Sequence, residues 1–364
     1  MLIARAPVRI SFAGGGTDLP AFFNRHGGAV VSATIDKYVY VILTVHGGPE
    51  LQILSSDYRT FYRHTPGQAL FWEGDLNLPK AILHEFGIDN GVSMFLASEV
   101  PPGTGLGSSS TLTVAAVKAV SAARGQTLSS DEVARLATRV ELEKMGMPIG
   151  YQDQYAAAFG GLNFMEFQAE GVRVTPVRTP PGTLEGLQQN LLLFFTGTAR
   201  ESSKILAQQR DSTERSQADV LQALLAVRDM AHAMRDTLQR GDLAGFGECL
   251  HAGWEQKKHF APGVSNPQID SAYATARANG ALGGKIAGAG GGGFMMIYCP
   301  AGTQLAVTSA LEAQGLRRLD FRFEEGGARV LLNAGLRLPP TTSRDEGTGE
   351  GTADTGAASF VGSA

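Results

Sequence analysis

Cysteine is scarce in this chain. Its 364 residues hold two, Cys249 and Cys299, with no CxxC pair and no Cys/His spacing around them. A disulfide scaffold and a cysteine-based metal framework are therefore excluded, and two reduced, buried thiols are expected. An excess of one charge is also missing: 31 Lys and Arg stand against 35 Asp and Glu, a net −4. Nucleic-acid binding would need a basic excess or patch, so no nucleic-acid partner is expected. Long hydrophobic runs are absent too. The strongest, Leu191 to Phe195, falls far short of the ~20 residues that span a bilayer. The start, Met1 to Pro7, has neither a charged lead nor an apolar h-region. Together these absences predict a soluble, cytoplasmic protein with no membrane partner.

Two common nucleotide signatures are lacking as well. No Gly-Lys-Ser/Thr closes a Walker A loop, and no GxGxxG follows the first predicted strand. The chain instead runs Ala13-Gly14-Gly15-Gly16-Thr17-Asp18 there, which argues against a nucleotide-sugar oxidoreductase.

At 43% apolar, the chain can build two packed domains. Strand-like segments are read at Ile3–Phe12, Ala29–Val45 and 92–98. A helix follows from about Ser109 to Arg124, ended by Gly125. A second helix starts at a Ser129/Ser130 cap, with Val133, Leu136, Ala137 and Val140 on one face. The second half opens with a strand at Leu191–Phe195. Helical stretches follow at about 201–240, 242–259 and 269–279, then a strand at Gly293–Cys299. The remainder reads as a helix (303–315) and a strand (318–332). Helices segregated against few strands give an α+β second domain. From about residue 338 the composition turns to Thr, Gly, Ser, Asp and Glu, which predicts a disordered tail over 338–364.

What the chain does have is glycine, gathered in three segments. Pro101-Pro102-Gly103-Thr104-Gly105-Leu106-Gly107-Ser108-Ser109-Ser110 joins a strand to a helix. Free backbone N–H groups and a helix dipole then aim at one point, which makes an anion site; the plainer reading is a turn whose serines merely cap. Arg5 to Asp18 forms the second segment. The third is Lys285 to Phe294, with Gly288 and Gly290 to Gly293 leading into a strand. So much glycine costs backbone entropy, and close approach of a ligand or another backbone would justify it.

These three segments resemble motifs one, two and three of the GHMP kinases (galactokinase, homoserine kinase, mevalonate kinase and phosphomevalonate kinase). They stand in that family's order and spacing, and the likeness covers roughly residues 1–335. The resemblance implies a two-domain α+β kinase using ATP and Mg²⁺. Residues 1–188 would form a ribosomal-S5-like domain, and 189–337 a ferredoxin-like one. The nucleotide's phosphates would lie on Pro102, Gly103, Gly105, Leu106, Gly107, Ser108, Ser109 and Ser110.

Phosphoryl transfer needs a positioned hydroxyl, neutralised phosphate charge and a place for a proton. Glu141 near a helix end and Asp153 after a Gly/Pro loop are candidates; read alone they could equally be a surface acid and a helix cap. The resemblance implies that Glu141 and Ser109 hold the metal and that Asp153 serves as base, with Glu143 as a rival ligand to Glu141. It likewise places Arg9 at the transferred phosphoryl. Asp18, with Gly16, Thr17, Gly290 and Gly291, would meet the sugar. Galactokinase has Gly-Glu-His-Thr-Asp where this chain has Gly14-Gly15-Gly16-Thr17-Asp18, so galactose itself is disfavoured.

Further likeness extends to a subgroup acting on D-glycero-D-manno-heptose 7-phosphate. It rests on Arg9–Asp18, His26–Val30, Ala33–Tyr38, Gln152–Ala157, Ser265–Pro267 and Gly280–Lys285. That subgroup phosphorylates the anomeric hydroxyl; fucokinase-type enzymes share much of the pattern. The expected partners are ATP and a small sugar or sugar phosphate. Arg200 is the first candidate for a phosphate already on the sugar, and Lys204, Lys257, Lys258 and Lys285 are others. A non-catalytic sugar sensor on the same fold is the rival from another class.

Overall fold

The computed structural model describes residues 1–338, apart from 47, 58, 66, 67, 69, 198–201 and 216, and only the backbone of 202 and 203. Arg200 and residues 339–364 of the expected tail lie outside the described residues, while Leu338, placed in that tail by the sequence, is buried in a core.

Alternation builds the first sheet. Leu2, Ala4, Ala6, Val8, Ile10 and Phe12 recur at every second position of the strand Leu2–Ala13, and all are buried. This strand runs antiparallel to Gly28–Val45, which forks the sheet. Residues 39–45 of the long strand pair with Val92–Ser98, while 28–33 pair with Leu162–Gln168. The main path is completed by Leu51–Ser55 and Thr60–His64, and Gly171–Pro176 extends the other branch.

The helix Ser108–Ala123 lies on this sheet, against Leu2–Ala13 and Gly28–Val45. It is buried almost all round, which its Ala, Val, Ser and Thr side chains permit by their small size. Ser130–Thr138 and Gln152–Phe159 flank it. Ser129 caps the former through a reciprocal bond pair with Glu132, as expected from the sequence.

A second antiparallel sheet orders Arg317–Leu319, Leu191–Phe195, Phe294–Tyr298 and Gly283–Ile286. The helices Ala218–Arg240, Leu243–Lys257 and Pro267–Ala278 belong to this half. One apolar cluster joins the halves, drawing Val8, Ile10 and Phe12 together with Leu193, Phe246 and Phe294. Phe12 and Phe246 meet edge to face at 5.1 Å.

Three expectations are corrected. The helical stretch 201–240 is two helices, Ser202–Glu214 and Ala218–Arg240. The single strand over 318–332 is also two, and the second, Arg329–Asn333, leaves the C-terminal half to pair with Leu2–Ala13. Leu336 and Leu338 then bury in the N-terminal core, so the chain ends its described course in the half where it began. An otherwise open sheet edge gains a partner by this return. Glu141 lies not in a regular α-helical end but in a π-helical segment, Arg139–Lys144. Among the described residues no helix is long and apolar enough to cross a membrane.

Candidate active site

The three glycine segments converge on one cleft of about 160 Å³. Gly105 has φ +85°, and a Cβ there would lie 2.4 Å from the carbonyl oxygen of Ala287, so the second segment rests directly on the third. The Phe294 N–H donates to the Thr104 carbonyl at 3.0 Å and locks the same contact. Gly107, with φ +76°, precedes the helix Ser108–Ala123, whose start has no side-chain cap. Gly103, Gly105, Gly107 and Ser108 to Ser110 line the cleft. A helix start without a cap leaves first-turn N–H groups for a ligand.

Other expected residues stand further back. Pro102 lines a separate cavity of about 30 Å³ that shares Ser108 and Ser109 with the main cleft. Leu106 is fully buried, and its carbonyl accepts the Arg9 N–H at 3.1 Å. Gly288 and Ala289 reach the cleft, whereas Gly290 and Gly291 turn to Val264, whose carbonyl accepts the Gly291 N–H at 2.8 Å. Gly16 and Asp18 line the cleft, but Thr17 is buried behind it. The Thr17 hydroxyl donates to Gly14 O at 2.8 Å or Ala29 O at 3.0 Å and so pins the turn.

Arg9 links strand, loop and acid. Its Nε donates to Asp153 Oδ1 at 2.8 Å and Nη2 approaches the same oxygen at 2.6 Å. Nη1 donates to the Gly105 carbonyl at 2.6 Å. Asp153 occupies the first turn of Gln152–Phe159, close enough to the loop that a Cβ on Gly107 would stand 3.0 Å from its Oδ2. Beside it, Asp18 accepts from the Gly16 N–H (2.9 Å) and from the backbone N–H and side-chain Nε2 of Gln152 (3.2 Å each). Burial, and then the charge of Asp153, raise the Asp18 carboxyl above its ordinary value.

Glu141 is wholly buried. Thr113 Oγ1 donates to its Oε1 at 2.7 Å and Gln154 Nε2 donates to Oε2. Gln154 also donates to the Ser110 hydroxyl at 3.3 Å. Burial pushes the Glu141 carboxyl up to about 7 despite those donors. Among the described residues, no Lys or Arg lies within ion-pair reach of Glu141, and no group of three His, Cys, Asp or Glu is gathered for a metal. Glu143, the rival, is exposed.

Two lysines complete the cleft. Lys257, at the end of Leu243–Lys257, donates to the Gly288 carbonyl, and Lys285 donates to Phe12 O at 3.3 Å. Burial lowers the Lys257 ammonium to about 8, and lowers Lys285 well below the usual range, helped by Lys257 and Arg9. Lys258 pairs instead with Glu255 at 2.8 Å, and Lys204 is exposed on its helix. Thr113, Gln152 and Gln154 join the site only through the fold. The two glutamines flank Asp153, a signal that was there to be used; Thr113 reads locally as one more small residue of a buried helix.

Residues 77–161 match the N-terminal domain of GHMP kinases, and residues 234–316 match the C-terminal domain of GHMP kinases. The chain is 32% identical over 331 residues to the D-glycero-alpha-D-manno-heptose 7-phosphate kinase of Campylobacter jejuni, covering 89% of this chain and 97% of that protein. It is 27% identical to an L-fucokinase/L-fucose-1-P guanylyltransferase of Bacteroides fragilis, over 80% of this chain and 34% of that longer protein. The crystal structure of a D-glycero-D-manno-heptose 1-phosphate kinase from Bacteroides thetaiotaomicron superposes with a TM-score of 0.75 at 27% identity, over 92% of this chain and 99% of that one.

Proposed function

The chain belongs to the GHMP kinase family, and we propose that it transfers the γ-phosphate of ATP to the anomeric hydroxyl of D-glycero-D-manno-heptose 7-phosphate. The Arg9 bridge carries this reading. One guanidinium holds Asp153 and the Gly105 carbonyl together, so that the acid stands beside the loop that would wrap the phosphates.

The step balances simply. The anomeric oxygen attacks the γ-phosphorus, and the bond from that phosphorus to the β–γ bridging oxygen breaks as the new one forms. The hydroxyl proton passes to Asp153, and ADP leaves. The uncapped start of Ser108–Ala123 supplies N–H donors where phosphate charge accumulates. Arg9 adds a fixed positive charge beside the reacting groups, and Asp18 with Gly16 would orient sugar hydroxyls.

Glu141 has the chemistry for a magnesium ion: it is a buried carboxylate whose hydrogen bonds come from the neutral Thr113, Gln154 and Ser110, near the charge of Asp153, and it stands just behind the cleft wall on which Ser109 and Ser110 open. Such an ion, when bound, would offset phosphate charge, and Glu141 and Ser109 would hold it.

Similarity to about a third of the longer L-fucokinase/L-fucose-1-P guanylyltransferase supports a second reading, L-fucose as acceptor. A non-catalytic sensor would have no use for a base beside a phosphate loop. ADP release measured over heptose 7-phosphate, fucose, arabinose and galactose decides among them. Turnover on heptose 7-phosphate far above the rest is expected. A preference for fucose would replace the acceptor, and turnover on none would leave the sensor.

A further inference from the structure

Arg9 and the open helix start already provide for the transferred phosphoryl group. Lys257 and Lys285 bring two more buried positive charges to the same cleft, from a helix and a strand of the other half of the chain. Each is about 5% exposed. Each ammonium makes a single hydrogen bond, to a backbone carbonyl, and among the described residues no carboxylate approaches within 4 Å of either. An ammonium carries three donors, so two on each remain for something in the cleft.

Such a pair is costly without an anion. Two like charges out of water repel each other and also repel Arg9, while the neighbouring Asp18 is engaged by Gly16 and Gln152. Chain packing does not demand the pair, since the carbonyls of Gly288 and Phe12 could be met by any donor. A multi-oxygen dianion would take up the free protons of both ammonium groups at once.

We propose that Lys257 and Lys285 form a binding site for the phosphate already carried by the sugar, so that the enzyme selects a phosphorylated acceptor. This rests on the kinase reading above and deepens it. It commits the pair to the resident phosphate and not to the one in flight.

The test compares heptose 7-phosphate with unphosphorylated heptose in the full-length protein and in Lys257→Met, Lys285→Met and Lys258→Met. Wild type should favour the phosphorylated sugar in kcat/KM. Each buried-lysine variant should shrink that preference thirtyfold or more, mainly through KM of the phosphorylated sugar, while KM for ATP moves less than threefold. Lys258→Met, at the surface, should leave the preference within twofold.

A second readout needs no turnover. Inorganic phosphate without nucleotide should raise the melting temperature of wild type and not of Lys257→Met or Lys285→Met. Lys257→Gln replaces the methionine variant if that one does not fold. Equal loss of kcat on both sugars, with the preference intact, would assign the lysines to the transferred phosphoryl and overturn the proposal. Wild-type turnover with no preference for the phosphorylated sugar would overturn it too, leaving the kinase reading in place. No turnover on any sugar would remove the kinase reading first.

Discussion

Arg9 and Asp153 are 144 positions apart in the chain and meet at 2.6 Å in the cleft. The same guanidinium also reaches the carbonyl of Gly105. Strand, carboxylate and glycine loop are thus held by one side chain. Asp153→Asn keeps the shape but cannot take the hydroxyl proton. Its kcat should fall by about 10²–10⁴-fold, with ATP affinity measured by calorimetry within threefold of wild type. Arg9→Lys cannot make both contacts from one ammonium, and its kcat should fall on the order of 100-fold. Near-normal turnover in Asp153→Asn would take that residue out of the reaction.

The contact between the second and third glycine segments has its own test. Gly105→Ala would drive a Cβ to 2.4 Å from the Ala287 oxygen at a φ of +85°. Both backbones must shift, and urea unfolding should report a loss of about 3 kcal/mol. Gly302→Ala is the comparison: its φ is +93° but nothing lies within 4 Å. There only the backbone preference is lost, about 1 kcal/mol. Equal losses would mean that the segments do not pack as described.

Glu141→Gln removes the charge from a buried oxygen donor while keeping its size. Nucleotide binding followed during a magnesium titration should need at least tenfold more metal than wild type. The melting temperature should not fall, because a buried charge that meets no cation has been removed. An unchanged magnesium requirement would place the ion elsewhere.

The depressed Lys257 ammonium makes stability depend on pH. The folded state releases this proton at about 8 and the unfolded chain at the ordinary lysine value of 10.5. Between those values the unfolded state binds more protons, so this group makes the fold more stable as pH rises. Below pH 8 it costs on the order of 3 kcal/mol. Lys257→Met should therefore be more stable than wild type at pH 7, and the gap should close between pH 8 and 10. Arg9 presses the same way and Asp18 opposes it. A variant less stable than wild type at pH 7 would show that Lys257 is a structural prop.

Much of the site was legible because its signals are local. Glycine at 103, 105 and 107 beside three serines announces a backbone that must turn sharply at a helix start. The Ser129–Glu132 cap and the strand Val92–Ser98 were read for the same reason. The hairpin Leu51–Ser55 with Thr60–His64 was missed, since an alternating pattern only five residues long is hard to see, whereas the equally short Leu191–Phe195 stands out as an unbroken apolar run. Lys257 and Lys258 were indistinguishable. They sit side by side in a polar stretch, yet one is buried in the cleft and the other, half-buried, pairs with Glu255.

By itself the chain's order of residues determined what adjacent groups can settle among themselves: glycine turns, helix caps, alternating strands and the identity of the acids and bases. Only tertiary packing decided which of them share a cleft. Arg9 with Asp153, Glu141 with Thr113, Lys257 with Lys285, and the closing strand Arg329–Asn333 with Leu2–Ala13 are all meetings across long separations. Such contacts form when distant apolar faces bury against one another, and charge is then fixed at a site by a core that its own neighbours in sequence do not describe.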